Sequence, residues 1–328
     1  MTKTCLGCGI PLQTENPNQI GYVDDLEKEY CERCFKIRHY NHYQTVEKSN
    51  QDYLSILKEI SLTKDLVVFV VDLLNISPMI TEILSLLKQN PVLLVLTKRD
   101  LLPKSLYESR LLDYMDQYGT FIDKILISSK KNYQFDQLLE KIVQYQVSDR
   151  VYVVGLTNAG KSTMLNQMIK NYTTLDYEIT TSMQSSTTLG MISVPIRDTL
   201  TLVDTPGILD EGNLLNVVPS KMMKKIIPKK EIRPISYQVK GTQYFWIEDF
   251  CALHVTDNTI IFYLSNALSI KRFYHPKDTT SLYRYTFELT GKEDIVIPGL
   301  GFIKIEKKGK VDIFLPEQTT CFVRKNFI

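Results

Sequence analysis

Hydrophobic and polar positions alternate in blocks through the first two thirds of the chain. Continuous apolar runs of four to six residues predict strands that are covered on both faces, and stretches with 3.6-residue spacing between them predict helices. The predicted strands are residues 66–71, 92–96, 124–128 and 151–154, and the predicted helices are residues 51–60, 79–89, 105–118 and 135–145. Strands that alternate with helices indicate a mostly parallel α/β sheet.

The pattern changes after this block. Residues 191–195 and 200–203 are separated by four residues and predict a hairpin at the sheet edge. Beyond residue 220 short β-rich runs dominate, and Lys-Lys-Gly-Lys at 307–310 predicts a hairpin turn. We therefore expect three parts: residues 1–48, an α/β domain at 49–215, and a β-rich α+β domain at 216–328. The short β runs are residues 235–239, 243–247, 252–255, 259–264, 295–297 and 301–305.

Composition places the chain among ordinary globular proteins, with 44% hydrophobic and 23% charged residues in 328. The longest apolar run, residues 66–74, is interrupted by Asp72 and is too short to cross a bilayer. The first residues lack an apolar signal segment, so we expect a cytoplasmic protein without a membrane partner.

Charge is unevenly distributed along the chain. The net charge is +2, but residues 216–328 carry 18 Lys and Arg against 11 Asp and Glu. That part therefore has a net charge of +7, which leaves −5 for the first 215 residues. Such asymmetry indicates a polyanionic partner for the C-terminal part.

Four of the six cysteines form two C-x₂-C pairs near the N-terminus: Cys5, Cys8, Cys31 and Cys34. Two such pairs supply the four thiolates of a closed structural zinc site, although the spacing between them is slightly long. Disulfides are the alternative in an oxidising compartment, and a redox pair would need one C-x-x-C near a βαβ unit. Cys251 and Cys321 lie among apolar residues and are expected to be buried thiols. A basic, aromatic stretch at residues 35–43 is expected either to touch RNA or to pack beside the zinc site.

A phosphate-binding loop follows the strand at 151–154. Residues 155–162 fit G-x-x-x-x-G-K-[ST], and a helical pattern follows at once. The glycines permit close backbone approach, the loop N–H groups surround phosphate oxygens, Lys161 reaches the β- and γ-phosphates, and Ser162 offers a hydroxyl to Mg²⁺. The expected contacts are Gly155, Leu156, Thr157, Asn158, Ala159, Gly160, Lys161, Ser162 and Thr163.

Two further loops follow apolar strands, where open α/β sheets bind ligands. Thr-Lys-Arg-Asp at 97–100 approaches N-K-x-D: the Asp100 carboxylate can accept two hydrogen bonds from guanine, and the Lys98 stem can lie across the base. Ser-Ser-Lys at 128–130 approaches the S-A-K that supplies a backbone N–H to the guanine carbonyl. We therefore expect guanine contacts from Lys98, Asp100, Ser128, Ser129 and Lys130.

The γ-phosphate side of the site is predicted from two later segments. Residues 172–188 are rich in Ser and Thr and predict a mobile loop, in which Thr188 is a candidate Mg²⁺ ligand and γ-phosphate sensor. Asp-Thr-Pro-Gly at 204–207 ends an apolar strand. Asp204 is expected to hold Mg²⁺, and the Gly207 N–H to bond the γ-phosphate. Lys161, Thr188 and Gly207 are the residues expected to act in hydrolysis.

Together these segments resemble the translation-factor class of GTPases in rotated order, because the guanine motifs precede the phosphate loop. With the cysteine pairs in front and an extra domain behind, the chain resembles the YqeH family of circularly permuted GTPases over nearly its whole length. The resemblance implies GTP and GDP as ligands, Mg²⁺ and Zn²⁺ as metals, and a role in assembly of the small ribosomal subunit or its precursor, with rRNA contact. It also implies that K⁺, held partly by Asn158, assists hydrolysis.

The chain departs from the family pattern at three places. Thr97 replaces the usual Asn, and this changes one guanine contact. Ser185 and Ser186 replace Pro-Gly before the Thr pair, so the backbone geometry before Thr188 departs from the family pattern. Ile208 stands where many GTPases have a water-orienting Gln, so slow intrinsic hydrolysis is expected.

The C-terminal part is expected to contact RNA, and no DNA contact is predicted. Its opening segment is strongly basic, and the expected RNA contacts are Lys221, Lys224, Lys225, Lys229, Lys230 and Arg233. A solvated basic face is the alternative. Rival functions are a P-loop ATPase or kinase, a GTP-regulated protein-binding adaptor without RNA contact, and, most remotely, a redox enzyme.

Overall fold

The structure of the protein is a computed structural model. It describes residues 3–5, 11–15, 21–32, 50–173, 185–186 and 191–328. These residues form two compact units. One comprises Met1–Lys98 and Asp116–Leu209, and the other comprises Arg99–Met115 and Asp210–Ile328.

The first unit contains a seven-stranded sheet of order β3-β2-β1-β4-β7-β6-β5 in the described residues. The strands β3, β2, β1, β4 and β7 pair in parallel, and β6 and β5 continue the sheet in antiparallel fashion. The strands are β1 (Val67–Asp72), β2 (Val92–Thr97), β3 (Asp123–Leu126), β4 (Arg150–Gly155), β5 (Ser185–Ser186), β6 (Met191–Arg197) and β7 (Leu200–Asp204).

Helices cover this sheet, which explains why its central strands are apolar on both sides. Val67, Phe69 and Leu94 are completely buried. The helices in the first unit are α1 (Asn50–Thr63), α2 (Met79–Leu86), α4 (Phe135–Tyr145) and α5 (Lys161–Tyr172). The mostly parallel α/β domain predicted from the apolar runs is confirmed.

Three details of this domain differ from the predictions. The helix predicted at 105–118 is shorter and continues as a 3₁₀ turn: it is α3 (Glu108–Tyr114), followed by Met115–Gln117. Part of the loop predicted at 172–188 forms β5, which pairs with β6. The predicted hairpin of β6 and β7 forms, but β7 also pairs with β4, so the hairpin extends the sheet instead of ending it.

The second unit contains two five-stranded antiparallel sheets in the described residues, of orders β12-β9-β10-β16-β13 and β17-β14-β15-β11-β8. Helix α6 (Ser220–Ile226) precedes them. The strands are β8 (Ile235–Gln238), β9 (Thr242–Ile247), β10 (Cys251–Thr256), β11 (Thr259–Leu264), β12 (Ile270–Phe273), β13 (Tyr283–Leu289), β14 (Glu293–Ile297), β15 (Gly301–Ile305), β16 (Gly309–Leu315) and β17 (Phe322–Lys325).

Both sheets contribute to one buried core. Phe245, Leu253 and Ile313 from one sheet belong to the same cluster as Phe262 and Ile303 from the other. Residues 307–310 connect β15 to β16, which lie in different sheets, so the hairpin predicted there is wrong. Polar turn residues mark a change of chain direction, but they do not determine which strands pair.

The described N-terminal residues form a small cluster of their own. Cys5, Leu12, Val23 and Cys31 are buried together. Backbone hydrogen bonds join this cluster, among them Leu12 N to Lys3 O at 2.8 Å and Glu32 N to Tyr22 O at 2.8 Å. Cys8, Cys34 and the basic stretch at 35–43 lie outside the described residues.

Candidate nucleotide site

The phosphate loop joins β4 to α5, and two of its positions accept only glycine without a steric clash or backbone strain. Because β4 pairs with β1, a Cβ on Gly155 would lie 2.3 Å from the Val70 carbonyl oxygen. Gly160 has a φ of 97°, which a residue with a side chain adopts only under strain. Asn158 also has a positive φ, 60°, a conformation that asparagine tolerates. These steric limits and φ values fit a phosphate-binding loop, whose backbone must approach its ligand closely.

Lys161 lies inside this loop. Its ammonium donates to the carbonyl oxygens of Gly155 at 2.8 Å and Leu156 at 3.1 Å, and the residue is almost completely buried. Burial lowers the pKa of Lys161 to about 8, and the charge of Asp204 opposes that shift. A buried cation held mainly by neutral carbonyl groups is stabilised by an anion at the site, and phosphate fits that requirement.

The segment after β7 lies against the same loop. The Thr205 hydroxyl donates to Val153 O at 2.8 Å, and Ile208 pairs with Leu156 in a parallel bridge. A Cβ on Gly207 would be 3.0 Å from Lys161 Nζ. The structure therefore brings the predicted γ-phosphate residue next to the phosphate-loop lysine, across 46 positions of sequence.

Thr97, which stands in place of the usual Asn of the guanine motif, contacts the phosphate loop. It is buried, and its hydroxyl lies 2.6 Å from Ala159 O and 3.3 Å from Val71 O. The side chain therefore links the end of β2 to the phosphate loop.

Lys98 and Asn158 are in contact, and both have positive φ. Lys98 Nζ donates to Asn158 O at 3.1 Å and forms an ion pair with Asp72 at 2.7 Å. Strained backbone of this kind concentrates at functional sites. Asp72 is not among the site residues predicted from the sequence, although its position at the carboxyl end of an apolar strand could have indicated it.

The remaining guanine candidates occupy short turns. Ser128 is buried, and its hydroxyl accepts from Lys131 N at 3.1 Å, so it caps the 3₁₀ turn Ser129–Lys131. Since β2 and β3 pair in parallel, the loops containing Lys98 and Ser128 leave the same edge of the sheet. Asp100 follows in the 3₁₀ turn Arg99–Leu101, which belongs to the second unit.

The residues also fit a hydrated Mg²⁺ ion beside phosphate. Ser162 is the second residue of α5, and the buried carboxylate of Asp204 ends β7 beside β4. Hydroxyl and carboxylate oxygens are the ligands that this hard cation prefers. Thr188, the third predicted ligand, lies outside the described residues.

The other predicted sites are only partly described. Cys5 and Cys31 lie together, with Cys31 N donating to Cys5 Sγ at 3.2 Å. In the part of the chain that the structure describes, no group of three metal-binding side chains occurs. That same part has no helix long and apolar enough to cross a membrane. The basic residues Lys221, Lys224, Lys225, Lys229, Lys230 and Arg233 are all exposed.

The chain is similar in sequence to several known proteins. A family model described as a 50S ribosome-binding GTPase matches residues 150–266. Protein YqeH of Bacillus subtilis is 33% identical over 362 aligned positions, which cover 99% of both chains. NO-associated protein 1 of Arabidopsis thaliana is 27% identical over 72% of this chain, which spans about half (48%) of that protein. GTPase Der of Mycoplasma pneumoniae is 27% identical over 41% of this chain and 32% of its own length.

The phosphate loop, the rotated order of the motifs and the parallel sheet define a circularly permuted P-loop GTPase. It is an enzyme that hydrolyses GTP, with GTP, GDP and Mg²⁺ as its ligands. The chain belongs to the YqeH family.

Proposed function

We propose that this GTPase is a nucleotide-controlled assembly factor that binds the small ribosomal subunit or its precursor through rRNA. The observation that carries the proposal is the short connection between the γ-phosphate segment and the second unit. Ile208 is bonded to the phosphate loop, through Thr157 N to Ile208 O at 2.8 Å. Four residues later, Gly212 O accepts from Thr320 N of the second unit at 2.9 Å. Because only a short segment separates these two contacts, a movement at Gly207 is expected to be transmitted to the second unit.

The second unit is also linked covalently to the predicted guanine-binding loop. Arg99–Met115 directly follows Lys98, and it is built into the second unit. Ile232 N donates to Leu101 O at 2.8 Å, and the Tyr114 hydroxyl donates to Lys325 O at 2.7 Å. Both loops that are expected to sense GTP thus continue directly into the unit that carries the excess positive charge.

The basic segment of that unit supports contact with RNA. Helix α6 turns Ile226 into the core and leaves Lys221, Lys224 and Lys225 exposed. Lys225 is partly engaged in an ion pair with Glu248, at 3.2 Å. Exposed cations on a short amphipathic helix provide phosphate contacts, whose strength falls steeply as salt is raised.

The GTP state is proposed to order the segments around Thr188 and Gly207 and so to favour docking, and hydrolysis to favour release. Intrinsic hydrolysis is slow in this proposal, because the apolar Ile208 cannot orient water and its side chain is buried. K⁺ held partly by Asn158 assists it. Loss of that stimulation in Asn158→Ala supports the assignment, and K⁺ stimulation that persists in this variant rules it out.

Zinc is proposed to hold the N-terminal segment through Cys5, Cys8, Cys31 and Cys34. The contact of Cys31 N with Cys5 Sγ supports it, since such a hydrogen bond favours a thiolate. Metal analysis of the purified protein should give one zinc per chain, and Cys31→Ser should lose it. Full zinc content in Cys31→Ser would contradict this ligand set.

Co-sedimentation with ribosomal subunits tests the whole proposal. Purified protein is mixed with small subunits, large subunits or precursor particles, together with a non-hydrolysable GTP analogue, GDP or the matching ATP analogue. Binding to small subunits or their precursors with the GTP analogue alone is expected. Binding that ignores the nucleotide removes the switch, and binding confined to large subunits removes the small-subunit assignment. Binding that persists unchanged at high salt favours a protein-binding adaptor.

A further inference from the structure

One sheet of the second unit carries aromatic rings on the face that points away from the core. In the sheet β12-β9-β10-β16-β13, Phe245, Leu253 and Ile313 face the core shared with the other sheet. Because side chains alternate along a strand, their sequence neighbours Tyr244, His254 and Asp312 face the opposite way.

Strand register places these outward residues in two adjacent rows. The first row runs Phe273, Tyr244, His254, Asp312 and Thr286 across the five strands, and the second runs Lys271, Trp246, Ala252, Phe314 and Arg284. We call these two rows the ring face. Five of its ten residues have aromatic or imidazole rings, and a cation stands at each end of the second row.

Three of these rings contact one another in sequence across the sheet. The centroids of Tyr244 and His254 are 4.6 Å apart, and those of His254 and Phe314 are 4.3 Å apart. Burial lowers the pKa of His254, so its ring is largely neutral at pH 7 and packs as an aromatic group. Tyr244, Trp246, His254 and Phe273 each remain partly exposed. They therefore offer ring surface to a ligand while their neighbours hold them in place.

Cations border this surface. Lys277 Nζ lies 3.9 Å above the centre of the Phe273 ring, and the Arg284 guanidinium lies 5.9 Å from that of Phe314. Lys271 is exposed beside Trp246. The one carboxylate of the two rows, Asp312, is bonded to Arg284 at 2.7 Å and to Thr286 at 2.6 Å. Its charge is thereby offset, and the Lys271 end keeps its positive charge.

We infer that the ring face binds single-stranded RNA by stacking unpaired bases on Tyr244 and Trp246, with Lys271 and Lys277 facing the phosphates. Flat rings on a sheet with cations beside them suit bases that are free to unstack, and a duplex hides those bases. The inference rests on the proposed function and deepens it, because it separates base stacking on the ring face from phosphate contacts on the basic segment.

Trp246 provides a direct probe, since it is the single tryptophan of the sequence. Its fluorescence is followed in the full-length protein during titration with a 12-nucleotide oligouridylate and with a 12-base-pair RNA duplex. Saturable quenching by the single strand, with little effect of the duplex, is expected. Tyr244→Ala and Trp246→Ala should each weaken single-strand binding, followed by filter retention, about 5- to 150-fold, which corresponds to the loss of one stacked base.

Tyr283→Ala is the matched control. Tyr283 lies in the same sheet and its side chain is 59% exposed, but in its strand it is outside both rows of the ring face. This variant should bind the single strand like the unchanged protein. Cooperative urea unfolding of every variant, followed by far-UV circular dichroism, verifies that the β-rich second unit is folded in each one.

Three outcomes separate the two proposals. If single-stranded RNA binds by filter retention while Trp246 fluorescence and both ring variants remain unaffected, the ring-face inference is wrong and RNA binding by the basic segment stands. If neither RNA nor ribosomal particles bind, the proposed function itself fails. If a protein partner shields Trp246 from acrylamide and RNA does not, the face is a protein interface and the inference is overturned.

Discussion

At the scale of single residues, the phosphate loop is defined by contacts that leave no space for extra atoms. Gly155 meets the Val70 carbonyl oxygen, and Gly207 meets Lys161 and Thr157. The neighbour of Gly155 is a backbone oxygen that cannot move aside cheaply, whereas the two atoms nearest to a Cβ on Gly207 belong to the side chains of Lys161 and Thr157 and would have to shift. Steric limits therefore restrict which residue types can occupy positions 155 and 207, in addition to the chemistry of phosphate binding.

Gly155→Ala should abolish GTP and GDP binding and destabilise the protein by about 1–3 kcal/mol, the usual cost of overpacking. Its Cβ would lie 2.3 Å from a backbone oxygen. Gly119→Ala is the control, since its Cβ meets the flexible end of Leu84. Nucleotide titration and urea unfolding measure both effects. Wild-type affinity in Gly155→Ala would show that the strands can separate without harm to the loop.

Thr97→Val should lower nucleotide affinity and reduce stability by about 1 kcal/mol, because it leaves the carbonyl oxygens of Val71 and Ala159 without the hydroxyl donor. Thr97→Ser keeps the hydroxyl and should retain most of the affinity. Fluorescent-GDP binding and urea unfolding of the two variants compare the roles of hydroxyl and methyl. Equal affinities would contradict the bridging role.

The nucleotide-free protein should become more stable as pH rises from about 8 to 10.5. Burial lowers the pKa of Lys161 to about 8 in the folded chain, so over this range the unfolded chain binds a proton that the folded chain does not. Lys161→Met should be more stable than the unchanged protein at pH 7 without nucleotide, and its stability should rise less with pH. Thermal unfolding at several pH values measures both trends, and identical profiles would contradict the buried charge.

At the scale of elements, the end of β7 and the start of the phosphate loop behave as one piece of structure. Ile208 pairs with Leu156 through its backbone, while its side chain is buried. The same residue thus anchors the γ-phosphate segment and stands where other GTPases place a glutamine. Packing, rather than water orientation, accounts for an apolar residue here.

Ile208→Ala should therefore destabilise the protein by about 2–5 kcal/mol without lowering the intrinsic rate of GTP hydrolysis at saturating GTP. The side chain has no water contact to lose in this interpretation. Ile226→Ala, in an equally apolar core of the second unit, is a control for the loss of stability. Phosphate release under single-turnover conditions gives the rate. A tenfold fall in Ile208→Ala alone would assign the side chain a direct part in hydrolysis.

At the scale of the whole molecule, two of the three chain crossings between the units lie beside predicted nucleotide-binding residues. The crossings are Lys98–Arg99, inside the predicted guanine motif, Met115–Asp116, and Leu209–Asp210, two residues after Gly207. Thr320 then holds Gly212, and Pro298 O accepts from Leu214 N at 2.9 Å. Circular permutation thus makes the second unit a direct continuation of the γ-phosphate segment.

Insertion of Gly-Ser-Gly-Ser between Leu209 and Asp210 should leave GTP affinity unchanged and make subunit binding indifferent to the nucleotide. The inserted residues would lengthen this connection, so that the γ-phosphate segment could move without moving Gly212. The same insertion at Gly241, an exposed turn with open space around it, serves as control. Co-sedimentation with the GTP analogue and with GDP measures the difference. Preserved GTP dependence after insertion at Leu209 would contradict coupling through this connection.

The sequence by itself determined the features that are encoded locally. Continuous apolar runs specified the central strands, because burial on both faces excludes polar residues there, and the spacing of 155–162 specified the phosphate loop. It also indicated an extra β-rich unit with excess positive charge. The signals for the strands and for the phosphate loop are each complete within a window of a few residues.

Only the tertiary structure decided which distant residues meet. Thr97 reaches Ala159 across 62 positions, Asp72 pairs with Lys98, and Arg99–Met115 joins the second unit although its sequence neighbours belong to the first. The strands on either side of 307–310 separate into two sheets, and the ring face emerges from five strands in register. Strand pairing and register depend on long-range packing of whole faces, which no short stretch of sequence contains.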